Sequence, residues 1–214
     1  MRKIAVLGSG AVGETLSNGF LAHGYAVMRG SRDPAKLAAW KAGAKGEASI
    51  GSFEDAAGFG EIVVLAVAGS GAAAVVDMIT PHISGKAVLD TTNPIGGPPE
   101  NGVIKYFTAQ NDSLMEQLQK AAPKAHFVKA FNSVGNALMV NPKLSATPTM
   151  FICGNDAGAK TTATEILTQF GWETLDCGGV EAARPIESLC MLWCIPGFVK
   201  NDWMHAFKMV WPVQ

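Results

Sequence analysis

The residues best placed to do chemistry stand at the start of the chain. Gly8-Ser9-Gly10-Ala11-Val12-Gly13 has the spacing G-x-G-x-x-G directly after the apolar run Ile4-Ala5-Val6-Leu7. In that setting Gly8 serves a tight turn, Gly10 lets the backbone approach a pyrophosphate, and Gly13 allows the next helix to lie close to the strand. The free N–H groups of Gly10, Ala11 and Val12, together with the positive helix end, would face the anion. A lone glycine pattern is weak in a chain with 24 glycines. Its place between a strand and an amphipathic helix is what points to a dinucleotide.

The second strand specifies which dinucleotide. NAD sites usually end this strand in Asp or Glu, which accepts hydrogen bonds from the ribose 2′-OH. Here Met28-Arg29-Gly30-Ser31-Arg32 stands in that place. A carboxylate there would repel a 2′-phosphate, whereas a hydroxyl and a guanidinium bind one through charge-assisted hydrogen bonds. Ser31 and Arg32 are therefore read as 2′-phosphate donors, with Lys36 as a third, and the expected cofactor is NADP(H). The competing reading of Arg32 and Lys36 is a pair of solvated surface charges.

Ligands of doubly wound sheets lie beyond the carboxyl ends of the strands. The other strand ends here are Val67-Ala68-Gly69-Ser70-Gly71, Thr91-Thr92-Asn93-Pro94 and Phe131-Asn132-Ser133. The first offers a flat passage along the nicotinamide ribose. Asn93, Pro94 and Asn132 would surround the nicotinamide ring, although both asparagines equally suit turn or cap positions. No Tyr-x-x-x-Lys pair, Ser-His-Asp order or metal-type histidine cluster is present. His23, His82, His126 and His205 are scattered, His126 being the least certain of them. A site without an evident general acid suits direct hydride transfer between stacked rings, with no catalytic side chain and no metal.

These residues need a frame of alternating strands and helices to position them. Apolar runs at Lys3 to Leu7, Ala26 to Met28, Ile62 to Val67, Ala87 to Leu89 and Phe127 to Phe131 alternate with helical patterns. That rhythm predicts a parallel sheet with helices on both faces, a Rossmann-type doubly wound α/β fold. The non-alternating run Ile62 to Val67 belongs mid-sheet. Helices are expected at Val12 to His23, from Asp33-Pro34, and at Gly71 to Ile79, Ser113 to Ala122 and Asn132 to Val140. After Pro142 a smaller unit follows: strand Thr149 to Cys153, helix Ala157 to Phe170, strand Trp172 to Leu175 and an apolar helix from Glu181 to about Trp193. The chain thus divides into a dinucleotide-binding domain, 1–142, and a small α/β extension, 143–214, packed on it. The stretch Ile195 to Gln214, with Trp203 and Trp211, reads as a tail on its own core, a dimer contact or a pocket wall.

Composition narrows the function classes. Formal net charge is -1, so no basic field draws the protein to nucleic acid or an anionic membrane. Apolar runs are too short for a bilayer span and the N-terminus has no signal-peptide pattern, so a cytoplasmic location is expected. Cys153, Cys177, Cys190 and Cys194 form no C-x-x-C pair and read mainly as free thiols. Leu189 to Ile195 is apolar nearly all round, which predicts cover from a second copy in a homodimer.

Several segments also resemble a known family. Gly8 to Gly13, Gly30-Ser31-Arg32 with Lys36, Asp90 to Pro94, Val128 to Gly135, Cys153-Gly154-Asn155-Asp156 and Leu175 to Gly178 are similar to the coenzyme F420-dependent NADP oxidoreductases and related dinucleotide-binding proteins. NADPH domains of the STEAP metalloreductases, which pass hydride to a flavin, look similar in the same places. The resemblance implies that Ser9, Ser31, Arg32 and Lys36 contact NADP, and that Val67 and Ala68 neighbour the ribose and nicotinamide. It further implies hydride exchange between NADPH and a small-molecule redox acceptor, either a 5-deazaflavin of the F420 type or FAD or FMN. A non-catalytic NADP(H)-binding or sensing protein is the alternative. Asn132 stands where the archaeal enzymes have histidine, and Gly69 where they have a bulky aromatic, so a tryptophan at Gly69 is expected to favour stacking of the acceptor.

Overall fold

The structure is a computed structural model and describes residues 1–212. Six parallel strands form the main sheet: β1 (Lys3–Leu7), β2 (Ala26–Gly30), β3 (Ala48–Gly51), β4 (Ile62–Leu65), β5 (Ala87–Asp90) and β6 (His126–Lys129). Their spatial order is β3-β2-β1-β4-β5-β6. The chain therefore winds outward from β1 in one direction, then returns to β4 and winds in the other. This is the doubly wound Rossmann-type fold expected, with its switch point between β1 and β4.

Burial on both faces explains the apolar runs. Ile4, Val6, Val27, Val64, Leu89 and Val128 pack beneath α1 (Ala11–Ala22) and α6 (Ala157–Gln169). The alternate residues Ala5, Leu7, Val63, Leu65, Val88 and Phe127 pack on α3 (Phe53–Phe59), α4 (Gly69–Ile83) and α5 (Leu114–Ala121). A short α2 (Ala38–Gly43) follows a 3-10 turn at Pro34–Leu37. The C-terminal part adds a second parallel pair, β7 (Thr149–Ile152) and β8 (Glu173–Asp176), and α7 (Ala183–Lys200). An antiparallel bridge between Lys129 and Cys153 links the two sheets.

The structure departs from the pattern reading in instructive places. β3 and α3 escaped it, because Ala48-Ser49-Ile50-Gly51 is short and edge-like and α3 has only seven residues. The strand expected over Ile62 to Val67 ends at Leu65, where the chain turns toward α4. The helix expected over Asn132 to Val140 is only a 3-10 turn at Asn136–Leu138. Phe131 explains why: it is a buried aromatic residue in the left-handed region, with φ +62, so the chain reverses after β6 instead of continuing into a helix. Such backbone costs about 1–3 kcal/mol and persists only where its surroundings enforce it. Here Phe170 packs on the ring. The last helix runs past Trp193 and through Pro196 to Lys200.

The tail packs on its own chain. Trp203 lies over Gly197 and beside Trp193, and the Thr149 N–H donates to the Phe207 carbonyl at 2.9 Å. Residues 213–214 of the expected tail lie outside the described residues. Among the described residues no helix is long and apolar enough to cross a membrane.

A charge cluster that no hydrophobic pattern could reveal ties these layers together. Lys129 is wholly buried at the end of β6, 2.6 Å from Asp90 Oδ2 and 2.8 Å from Glu187 Oε1. Its ammonium also donates to the Thr92 carbonyl at 2.9 Å. Glu187, on α7, accepts the N–H groups of Leu114 and Met115 at the start of α5, both at 3.0 Å. Burial alone would lower the Lys129 pKa, but the Asp90 and Glu187 carboxylates outweigh it and hold the ammonium above its ordinary value. Removing one member of such a cluster leaves uncompensated buried charge. Lys129→Met is expected to cost about 3–5 kcal/mol of stability, measured by urea unfolding. A loss below about 1 kcal/mol, the range of exposed pairs, would contradict the cluster's structural weight.

Candidate functional site

Three backbone contacts shape the switch point. Gly8 has φ +145, donates its N–H to Gly30, and would place a Cβ 2.2 Å from the Ala66 carbonyl oxygen. Gly13 would place one 2.7 Å from the Gly8 carbonyl oxygen. No side chain fits at either position. Gly10 differs, since a Cβ there meets nothing within 4 Å. Its glycine is not required by packing, and the open space beside it belongs to a cleft.

That cleft measures about 440 Å³ and lies beyond the carboxyl ends of β1, β2 and β4. Its floor is Gly8-Ser9-Gly10; one end holds Ser31, Arg32, Asp33 and Lys36, and the opposite wall is Ala66-Val67-Ala68 with Ser70 and Gly71. Phe53, Ala74, Val75 and Met78 make an apolar side. The polar end is prepared by a local turn. Ser31 Oγ accepts the Asp33 N–H at 3.2 Å, which leaves its hydroxyl proton free to donate outward. Asp33 in turn accepts the Ala35 N–H at 3.2 Å and starts the Pro34–Leu37 turn that carries Lys36. Ser31 is buried, whereas Arg32 and Lys36 are exposed. The result is one buried donor and two exposed cations.

Side chains of Ser52, Ser113 and Asp156 cap α3, α5 and α6. In contrast, α1 and α4 open on Gly10 and Ala68 with no side-chain cap. Both helix starts line the cleft, so their unpaired N–H groups and positive ends are available to an anion. The cleft therefore offers what a dinucleotide phosphate requires: a backbone cradle that a Cβ would obstruct at Gly10, two free helix N-termini and a separate cationic end.

Of the residues singled out from sequence, Gly8, Ser9, Gly10, Ser31, Arg32, Lys36, Val67 and Ala68 line this cleft together. Ala11, Val12 and Gly13 form the first turn of α1 behind them. Asn93, Pro94 and Asn132 do not line it. Asn93 Nδ2 donates to the Asn132 carbonyl at 2.8 Å, and Asn132 Nδ2 donates to Asn93 Oδ1 at 3.1 Å and to the Ile186 carbonyl at 2.9 Å. The asparagines tie the loops after β5 and β6 to α7. None of the described tail residues lines the cleft. No histidine lines it either, and His126 opens β6 at the opposite edge of the sheet.

The apolar side was missed. Gly71, Ala74, Val75 and Met78 have the i, i+3, i+4, i+7 spacing of a helix face and were legible as a stripe; Phe53 was hidden because α3 was. A further expectation is corrected. A Cβ on Gly69 would fall 1.9 Å from the Asn93 carbonyl oxygen, so a tryptophan there would drive the two loops apart rather than offer a stacking surface.

Comparison with known proteins agrees with the resemblance read from the motifs. Residues 3–94 match the family model described as NADP oxidoreductase, coenzyme F420-dependent. Metalloreductase STEAP3 of Rattus norvegicus is 27% identical over 188 residues, covering 87% of this chain and 36% of that protein. The F420-dependent NADP reductase of Methanocaldococcus jannaschii is 28% identical over 140 residues, 65% of this chain and 63% of that one. The chain thus spans about a third of the metalloreductase and less than two-thirds of the archaeal reductase. A crystal structure from Arthrobacter sp. FB24, provisionally assigned as an F420-dependent NADP reductase, superimposes with a TM-score of 0.91 at 29% identity and covers 98% of this chain and 100% of that chain.

Two glycines separate packing from binding. Gly10→Val should fold with a melting temperature close to wild type yet lose dinucleotide binding, because its side chain enters the cleft. Gly69→Ala should lose about 1–3 kcal/mol through forced backbone displacement. Thermal unfolding and equilibrium dialysis against NADPH check both; the reverse assignment of effects would refute this geometry.

Proposed function

We propose that this chain, related through residues 3–94 to the coenzyme F420-dependent NADP oxidoreductases, is an NADP(H)-dependent oxidoreductase. In this reading it moves hydride between the nicotinamide and a flavin or 5-deazaflavin acceptor. The observation that carries the reading is the single cleft joining the glycine turn to Ser31, Arg32 and Lys36. Backbone N–H groups of α1 and α4 would hold the pyrophosphate, and the Ser31 hydroxyl with the two cations would hold the 2′-phosphate. Phe53, Val75 and Met78 give an apolar surface for the adenine side.

When bound, the dinucleotide supplies the hydride chemistry. The protein contributes position. Val67 and Ala68 lead toward Asn93-Pro94, where Phe107 donates its N–H to the Pro94 carbonyl and Ile95 and Phe107 remain partly exposed. This apolar rim supports a planar ring acceptor over a small acid that needs a charged anchor. F420, FAD and FMN are the acceptors to test. The proposal includes a cytoplasmic homodimer, since Leu192, Phe198 and Val199 remain exposed on α7 while Cys190, Trp193 and Cys194 face inward. Light scattering should give twice the chain mass at micromolar concentration; a monomer would refute the dimer.

Arg32→Ala should weaken NADPH binding by about 1.5–3 kcal/mol while leaving NADH nearly unchanged, the size of a lost hydrogen bond to a charged group. Equal losses for both nucleotides would remove the 2′-phosphate assignment. Single-turnover oxidation of bound NADPH by F420, FAD or FMN then tests transfer. Failure with all three, with tight NADPH binding retained, would favour the sensing alternative.

A further inference from the structure

Arg29 has no part in the cleft wall, yet its placement is unusual. It lies on β2 and is 1% exposed, the largest of the fully enclosed side chains. Its Nη2 donates toward the carbonyls of Gly8 and Gly10, both at 3.3 Å. The guanidinium also lies 4.9 Å from the Trp40 ring centroid. Its acidic neighbour is Glu14 in the first turn of α1, 3.5 Å away and more than half exposed. Nε has no partner.

A buried guanidinium normally has a close, shielded carboxylate. Here the pairing is loose and faces solvent. Burial lowers the Arg29 pKa and the Glu14 charge only partly offsets that effect, so the position has unused demand for negative charge. Its geometry points to where that charge arrives. By taking the two carbonyls from behind, Arg29 fixes the peptide planes of the turn so that the N–H groups face the cleft, and it puts a full positive charge beneath them.

We infer that Arg29 is a positioning residue for the pyrophosphate: it orients the glycine turn from below and serves as a buried counter-charge to both dinucleotides. The inference rests on the dinucleotide reading above. It assigns Glu14 an opposing role, since its carboxylate competes for Arg29 and adds negative charge at the helix end that receives the phosphates. Charges enclosed by protein are screened little by salt, so the contribution should persist at physiological ionic strength.

The test uses the whole chain and three probes: NADPH, NADH and adenosine 2′-monophosphate, which lacks the pyrophosphate. Arg29→Met should weaken NADPH and NADH by the same factor, about tenfold for loss of one enclosed charge near an anion, and leave adenosine 2′-monophosphate unchanged. Arg29→Lys should recover most of the loss. Glu14→Gln should tighten both dinucleotides by about twofold, as removal of an exposed opposing charge allows. Unchanged dinucleotide affinity in folded Arg29→Met would overturn the inference, as would an equal loss for adenosine 2′-monophosphate, which would mark a merely structural tie. Should Arg29→Met fail to fold, Glu14→Gln decides, and an unchanged or weaker affinity rejects the counter-charge. Absence of any dinucleotide binding by the wild-type chain is a different failure, because it removes the dinucleotide reading as well.

Discussion

The close passage of backbone at the split between β1 and β4 is the constraint on which the site depends. Gly8 against Ala66, Gly13 against Gly8 and Gly69 against Asn93 each leave no room for a Cβ. Together they draw the start of α1, the start of α4 and the loop after β5 around one end of the sheet. Both helices so placed start without a side-chain cap. Their unsatisfied N–H groups are inexpensive while solvated and become useful when an anion replaces water. Packing requirements and binding capacity thus arise from the same contacts, with Gly10 spared by packing and open to a ligand.

A second constraint holds the far side of the sheet. Lys129, Asp90 and Glu187 are enclosed together: Lys129 joins the ends of β5 and β6 to α7, and Glu187 joins α7 to the start of α5. Enclosed ions of this kind gain little over an apolar core of equal volume, but they tolerate few alternative arrangements. The strained Phe131 and the paired amides of Asn93 and Asn132 lie next to them. The loops after β5 and β6 are consequently set by polar geometry, whereas the end of the cleft at Ser31 to Lys36 carries exposed cations on a short turn.

Much of this was legible in the residues. The strands β1 and β4 could be read because each is apolar on both faces, and the glycine turn because it follows β1 directly. Ser31, Arg32 and Lys36 were legible as chemistry that replaces an acidic strand end. What escaped did so for physical reasons. β3 and α3 are too short for a period to declare itself. Asn132 and Phe131 resemble a helix start until the left-handed backbone at Phe131 is known. Lys129 and Arg29 look like surface charges, since nothing local in a strand of four or five residues announces that a cation is enclosed. The paired asparagines had two open readings, and their hydrogen bonding across 39 positions of sequence was not legible from the neighbours of either residue.

The central claim is that one end of the cleft distinguishes a 2′-phosphate from a 2′-hydroxyl. Calorimetric titration of the wild-type chain with 2′-phospho-ADP-ribose and with ADP-ribose isolates that distinction, because neither compound carries a nicotinamide. The account predicts binding of both, with the phosphorylated compound tighter by at least about tenfold, the factor that 1.4 kcal/mol represents. Equal affinity, or a preference for ADP-ribose, would contradict it.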